Sequence, residues 1–188
     1  MRHLTLPLLA AFAVCAAPAH AADTYDLDPA HTAALFSVSH LDISRTHGRF
    51  NGVSGTLTWD AADMAKSAIS ISIKTESVDT ANEKRDQHLR SPDFFNSKQF
   101  ATMTFVSKSF TKVDDKTYTV DGEMTLVGTT KSLSVTVKKI GEGKDPWGGA
   151  RIGFETSFAI KRSDFNIKGV PGVGDQVEVT FALEGIKK

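Results

Sequence analysis

The chain has 188 residues, with 22 Lys+Arg balanced by 22 Asp+Glu, six His and a single Cys. That balance supplies no basic field for a nucleic-acid backbone, and 40% hydrophobic against 23% charged residues is too apolar for a disordered chain. The length suits one domain with a sizeable core, and one cysteine excludes an internal disulfide, a Cys-rich zinc site and a CxxC redox pair within the chain.

Residues 1–21 read as a secretory signal peptide. Arg2 and His3 give a positive start, Leu4 to Ala17 an apolar run, and Ala19-His20-Ala21 a small-x-small cleavage pattern. The run is too short for the roughly 20 residues of a membrane-spanning helix, so stable membrane insertion is not expected. Val14 precedes Cys15 where a lipoprotein signal needs a small residue, which disfavours lipid attachment. Cleavage after Ala21 leaves residues 22–188 as one cysteine-free domain, expected in the periplasm.

From Tyr25 onward the dominant signal is alternation with period two, which places every second side chain on one face of a strand. After a short strand at Tyr25 to Leu27, Ala34, Phe36, Val38 and His40 share a face. Val53 to Trp59 follows, and then Ile69, Ile71 and Ile73 alternate with Ser70, Ser72 and Lys74. Thr80-Ala81-Asn82-Glu83 has the form of a capping box, in which Thr80 caps the amide of Glu83, and a helix is expected to run from there to Ser91, before Pro92. Leu89 is its one large apolar residue, so it is expected over the sheet or beside its end, with Phe94, Phe95 and Phe100 pinning it down.

The remaining strands alternate as clearly. Met103 and Phe105 share a face, as do Tyr118, Val120, Met124 and Leu126, then Leu133, Val135 and Val137, then Ile152, Phe154, Phe158 and Ile160, and last Val177, Val179, Phe181 and Leu183. Turn residues at 114–116, 128–130, 145–149 and 171–175 make consecutive strands hairpin neighbours. The reading is all-β, with eight or nine antiparallel strands, one face dry and one wet. Closure into a barrel would remove the exposed edges; a two-sheet sandwich is the alternative.

The motifs carry little chemistry. His31, His40, His47 and His88 show no metal-ligand spacing such as HExxH. His40 shares the apolar face with Phe36 and Val38, but hydrogen-bonded structural imidazoles are the better account of both His31 and His40. No GxSxG elbow or SxxK motif occurs, Asp114-Asp115 sits at a turn, and the glycines at 169–174 lack a Walker lysine. A triad assembled from distant strands stays open. About eight strands enclose an interior just wide enough either to be filled by side chains or to hold one ligand.

A set of motifs in order along residues 25–177 is similar to the YceI-like family of exported lipid-binding, or polyisoprenoid-binding, proteins. It begins with Tyr25-x-Leu27-Asp28-x-x-His31-Thr32 and Phe36-x-Val38-x-His40-Leu41, followed by Gly48-x-Phe50 with Gly55 and Asp60. Then come Arg85-Asp86-x-His88-Leu89-Arg90-Ser91-x-Asp93-Phe94-Phe95 and Thr104-Phe105. Gly122-x-x-Thr125-x-x-Gly128-x-Thr130-Lys131, Arg162-x-Asp164-Phe165 and Gly174-Asp175-x-Val177 complete it. Ala101 stands where members often have Pro, and Asn166 where many have Gly.

The resemblance implies a lipocalin-like, extended eight-stranded antiparallel β-barrel with one short helical excursion near residues 81–91. Its apolar pore would hold a polyisoprenoid, an isoprenoid-quinone precursor or a fatty-acid-derived lipid. It carries over no catalytic residue, cofactor or metal. The candidate ligand-binding residues are Phe36, Val38, His40, Ile71, Ile73, Phe105, Met124, Leu126, Val135, Phe154, Phe158 and Phe181. His40, Arg45, Arg90 or Ser107 is expected to orient a head group. A non-catalytic periplasmic carrier is the first reading; a lipid cyclase or hydrolase and a stress-response interaction protein with a filled barrel are the alternatives. A homodimer is left open.

Overall fold

A computed structural model describes residues 21–188, so the signal-peptide reading of residues 1–21 lies, apart from Ala21, outside the described residues. The strands are β1 (Asp23–Leu27), β2 (Ala33–His40), β3 (Ser44–Phe50), β4 (Val53–Trp59), β5 (Ala68–Lys74), β6 (Val78–Asp79), β7 (Thr102–Lys112), β8 (Thr117–Leu126), β9 (Thr129–Lys144), β10 (Ala150–Lys161) and β11 (Val173–Lys187). One α-helix, α1, spans Glu83–Arg90. No described helix is long and apolar enough to cross a membrane.

Eight strands form a closed antiparallel ring in the order β1-β4-β5-β7-β8-β9-β10-β11, and β1 completes it by pairing back onto β11. The barrel is therefore the fold, and the sandwich alternative falls. Closure depends on the length of β11. Its C-terminal end pairs with β1 (Tyr25 with Lys187, Leu27 with Gly185), while residues 177–182 pair with β2. The sheet then continues from β2 through β3 to β6, which extends the wall at one end.

Two irregularities set which side chains reach the interior. In β7, Ser107 and Ser109 pair with the consecutive residues Gly122 and Asp121, so Lys108 is an extra residue. A bulge of this kind reverses the phase, and Phe110 rather than Ser109 is buried beyond it. In β9, Gly141 pairs with Gly153 and Lys139 with Phe154, so Ile140 is extra and stands 56% exposed.

Strand β3 carries no apolar alternation in the sequence, yet it pairs with β2 along its whole length. Its inner positions include Gly48 and Phe50, and a Cβ at Gly48 would lie 2.3 Å from Cζ of Phe36. The glycine leaves the space that the Phe36 ring fills, so the apolar content of this part of the wall sits on the neighbouring strand.

The helix begins later than the expected capping box. Asn82 is the N-cap, its side chain accepting from the Arg85 amide at 3.1 Å. Thr80 instead donates its hydroxyl and its amide to Asp86 Oδ1, at 2.5 and 2.9 Å. Arg85 Nε donates to the Thr80 hydroxyl at 2.7 Å. Ala81, at φ 58°, turns the chain between clasp and cap. A buried carboxylate able to take both donors of Thr80 outcompetes a cap on Glu83, since Asp86 would otherwise be left unpaired in the interior.

Candidate functional site: an apolar cavity in the barrel

The floor of the barrel is an aromatic plug. The Trp59 ring packs edge-on against Tyr118 and Phe154 with centroids 5.0 Å away in each case, and against Phe110 at 6.3 Å. All four are buried, as are Leu57 and Val120 around them. Trp59 Nε1 is buried without a hydrogen-bond partner, and Lys139 Nζ lies 5.4 Å from the ring centroid.

Above this floor the barrel is not filled. A cavity of about 210 Å³ runs toward the opposite end, bounded there by Val38, Ile160, Arg162, Ile167, Val173 and Val177. Except for Ile167 these end residues are only half-buried, whereas those near the floor are fully buried, so the cavity opens at the rim. Its wall is hydrocarbon with few polar neighbours.

Eleven of the twelve candidate residues line this cavity: Phe36, Val38, Ile71, Ile73, Phe105, Met124, Leu126, Val135, Phe154, Phe158 and Phe181. His40 does not. It pairs with Ser44 and Val173 at the outer end of β2 and is exposed. Its phase is that of Phe36 and Val38, but the strand has by then risen past the rim, so the shared face has no interior to point into. The other expected head-group residues are also absent from the lining and already engaged. Arg45 donates to the Ser37 hydroxyl at 2.9 Å, and Arg90 to the carbonyls of Glu76 and Val78 at 2.8 and 3.1 Å. Ser107 Oγ accepts the Ile69 amide at 2.8 Å beside the bulge.

Several lining residues were not legible as such. Leu89, Phe94 and Phe95 come from α1 and the turns after it, so the polar helix is a lid whose few apolar side chains reach the cavity. Phe95 meets Phe50 edge-on at 5.3 Å. The polar residues of this segment hold it in place: Thr80 clasps Arg85 and Asp86, Arg90 ties the end of α1 to β6, and His88 Nε2 lies 2.9 Å from Asp93 Oδ2. Thr75 anchors the far end of the segment, its amide donating to Ala101 and its hydroxyl to Phe100.

At the rim, Arg162 gathers the loop before β11. It donates to the carbonyls of Ile167 (2.8 Å), Gly174 (3.0 Å), Val173 (3.1 Å) and Lys168. Asn166 sits at φ 60°, a left-handed conformation for which Gly is the usual choice and which Asn tolerates. Asn at this position, where Gly is common, is therefore conformationally consistent.

A second polar cluster lies outside the cavity, at the floor end. Arg151 Nη1 bridges Asp28 Oδ2 (2.8 Å) and Glu184 Oε1 (2.6 Å), and its Nε reaches Asp145 at 2.8 Å. His31 Nδ1 lies 2.8 Å from Asp28 Oδ2. The hydrogen bond from His31, the Ala30 amide and Arg151 hold the Asp28 carboxyl down at about 2, and Asp28 in turn pushes the His31 imidazole up. Asp28, His31 and Glu184 have the spacing of a three-ligand metal site, and the Arg151 guanidinium already supplies the cation that two of them face.

These features define the class: a closed antiparallel barrel around an apolar cavity with a helical lid. The YceI-like domain matches residues 25–185. The chain belongs to the YceI-like family. It is 40% identical over 194 residues to a UPF0312 protein of Shewanella baltica (strain OS185), covering 100% of this chain and 99% of that one. It is 37% identical over 190 residues to a UPF0312 protein of Ectopseudomonas mendocina, with both chains fully covered. Among solved structures, Burkholderia cenocepacia BcnA aligns with a TM-score of 0.76 at 25% identity, over 84% of this chain and 98% of that one. A Campylobacter jejuni YCEI protein aligns with a TM-score of 0.72 at 32% identity, over 79% and 89%. A polyisoprenoid binding domain from Saccharophagus degradans shares the fold, with a TM-score of 0.68 at 18% identity over 87% and 98%.

Proposed function

We propose that the protein is an exported, non-catalytic carrier that holds the tail of a long-chain isoprenoid or related lipid in the barrel. The observation that carries this reading is the cavity itself: hydrocarbon-walled, floored by aromatics and open at the rim. An engineered apolar cavity of about 150 Å³ stays dry and binds benzene, and this one, at about 210 Å³, is larger and is lined by residues from the aromatic floor to the rim. Each Å² of tail buried contributes roughly 25 cal/mol, so a few isoprene units outweigh the entropy of ordering them.

The name of the Saccharophagus neighbour gives the same ligand class. The positive start, apolar run and Ala19-His20-Ala21 support delivery to the periplasm. A carrier needs no reactive group in the wall, and the guanidinium at the rim is committed to main-chain carbonyls.

The test is native mass spectrometry of the protein purified from its own compartment, with extraction and identification of bound lipid. A polyprenyl or similar single-chain lipid is expected at no more than one per barrel, and the same spectrum reports subunit number. Finding no lipid, together with no uptake of added prenyl lipids, overturns the reading. Chemical conversion of the lipid during incubation overturns its non-catalytic part.

A further inference from the structure

The barrel wall is thin at one place away from the rim. The ladder between β9 and β10 runs from Ala150–Lys144 to Thr156–Val137 and stops there, although β9 reaches back to Thr129 and β10 continues to Lys161. In the continued register Leu133 would face Ile160, but these two residues flank a gap. The gap is pinned at both ends. Below it, Thr156 Oγ1 donates to the Thr136 carbonyl at 2.7 Å; above it, Asn166 Nδ2 donates to Thr129 Oγ1 at 2.8 Å beside the buried Phe165 ring.

Outside the gap lies a groove of about 400 Å³ that includes Lys131, Lys161 and Asp164. Leu133 and Ile160 line both this groove and the inner cavity, so a two-residue wall separates hydrocarbon interior from charged exterior. Among the described residues neither Lys131 nor Lys161 forms an ion pair, whereas Lys108, Lys112 and Lys139 on the same barrel do, and the groove sets these two lysines against the one carboxylate of Asp164. The groove therefore carries a net positive charge, and its unpaired strand edges offer main-chain groups as well.

We propose that this lateral groove is a head-group site for an anionic, phosphate-bearing prenyl lipid, whose tail passes between Leu133 and Ile160 into the barrel. The inference rests on the lipid-binding reading and adds the head-group chemistry and its exit path. The aliphatic pair suits the first isoprene unit, which follows directly on the phosphate. Lys131 and Lys161 then meet the phosphate with charge-assisted hydrogen bonds, the stronger kind.

The test compares geranylgeranyl phosphate with geranylgeraniol by titration followed in native mass spectrometry, on the folded protein without its leader. The unaltered protein is expected to bind the phosphate at least about tenfold more tightly than the alcohol, as two charge-assisted contacts allow. In the Lys131→Gln, Lys161→Gln double variant the phosphate should fall to the affinity of the alcohol, while Lys168→Gln, on the rim loop, keeps the preference. Equal binding of the two lipids by the unaltered protein, or a preference that follows Lys168 instead, overturns the lateral site and leaves the cavity reading standing. Binding of neither lipid overturns both. Inorganic phosphate that binds the groove without weakening the uptake of geranylgeranyl phosphate also overturns it, because it would mark the groove as a free-anion site unconnected to the tail.

Discussion

Asp28 and His31 show how a motif residue can serve architecture. The pair, with Arg151, ties the end of β1 to β10 and β11 at the floor of the barrel. The Asp28 pKa is lowered to about 2 from 3.8, so its contribution to stability is present above 3.8 and is lost as the pH falls toward 2. The His31 pKa is raised above 6.5, so its contribution is complete below 6.5 and is lost as the pH climbs through the folded value. Stability from this pair is therefore greatest between those two ordinary values. Asp28→Asn should flatten both the acid and the alkaline slopes of the melting temperature, measured from about pH 2 to about pH 9. An unaltered profile would remove the cluster from this role. Trp59 offers a second residue-scale contrast. Trp59→Ala should cost about 3–5 kcal/mol in urea unfolding, and Trp59→Phe much less, because it discards an indole N–H that has no partner. Equal losses would mean that the N–H is satisfied after all.

At the scale of elements, the wall is built by exchange between neighbours. β3 gives up its own side chain at Gly48 so that the Phe36 ring of β2 can lie across it, and β8 does the same at Gly122, where a Cβ would stand 2.5 Å from the Phe105 ring. Gly48→Ala should therefore push Phe36 toward the cavity. The expected result is a loss of about 1–3 kcal/mol in unfolding together with weaker uptake of prenyl alcohols; a variant unchanged in both would show that the ring has another place to go. The lid follows a similar division of labour. In α1 the charged residues make the fixings and one leucine faces the cavity, which is why the helix is polar nearly all round and yet belongs to the site.

For the whole molecule, closure through β1 and β11 leaves a barrel whose interior is only partly filled by its own side chains. Cavities of this kind weaken a fold unless something occupies them. A lipid that binds the folded state alone should stabilise it by about 2.7 kcal/mol at a hundred times its dissociation constant, or roughly 5–10 °C in melting temperature for a domain of this size. Far-UV circular dichroism should show no gain in strand content on loading, because the ring is complete without the ligand. A melting temperature that does not respond to saturating prenyl lipid would count against occupancy of the barrel.

Period-two alternation alone determined the all-β class, most of the strands and the inward phase of eleven lining residues, because each of these is a local property of an extended chain whose side chains alternate between faces. The ordered motifs pointed to the family. What only the tertiary structure decided was where each face ends and what completes the wall. His40 has the right phase but stands beyond the rim; Phe110 has the opposite parity from Phe105 because a bulge intervenes. β3 was hidden because its apolar face is supplied by Phe36 from across the sheet, and Leu89, Phe94 and Phe95 because a short polar helix gives no sign of the direction in which its few apolar residues point. Thr80 bonds Asp86 six residues on rather than Glu83, since burial makes the unpaired carboxylate the larger cost. Whether the interior is filled or hollow depends on the ring's circumference and on side-chain volumes summed around it, quantities that no single strand carries.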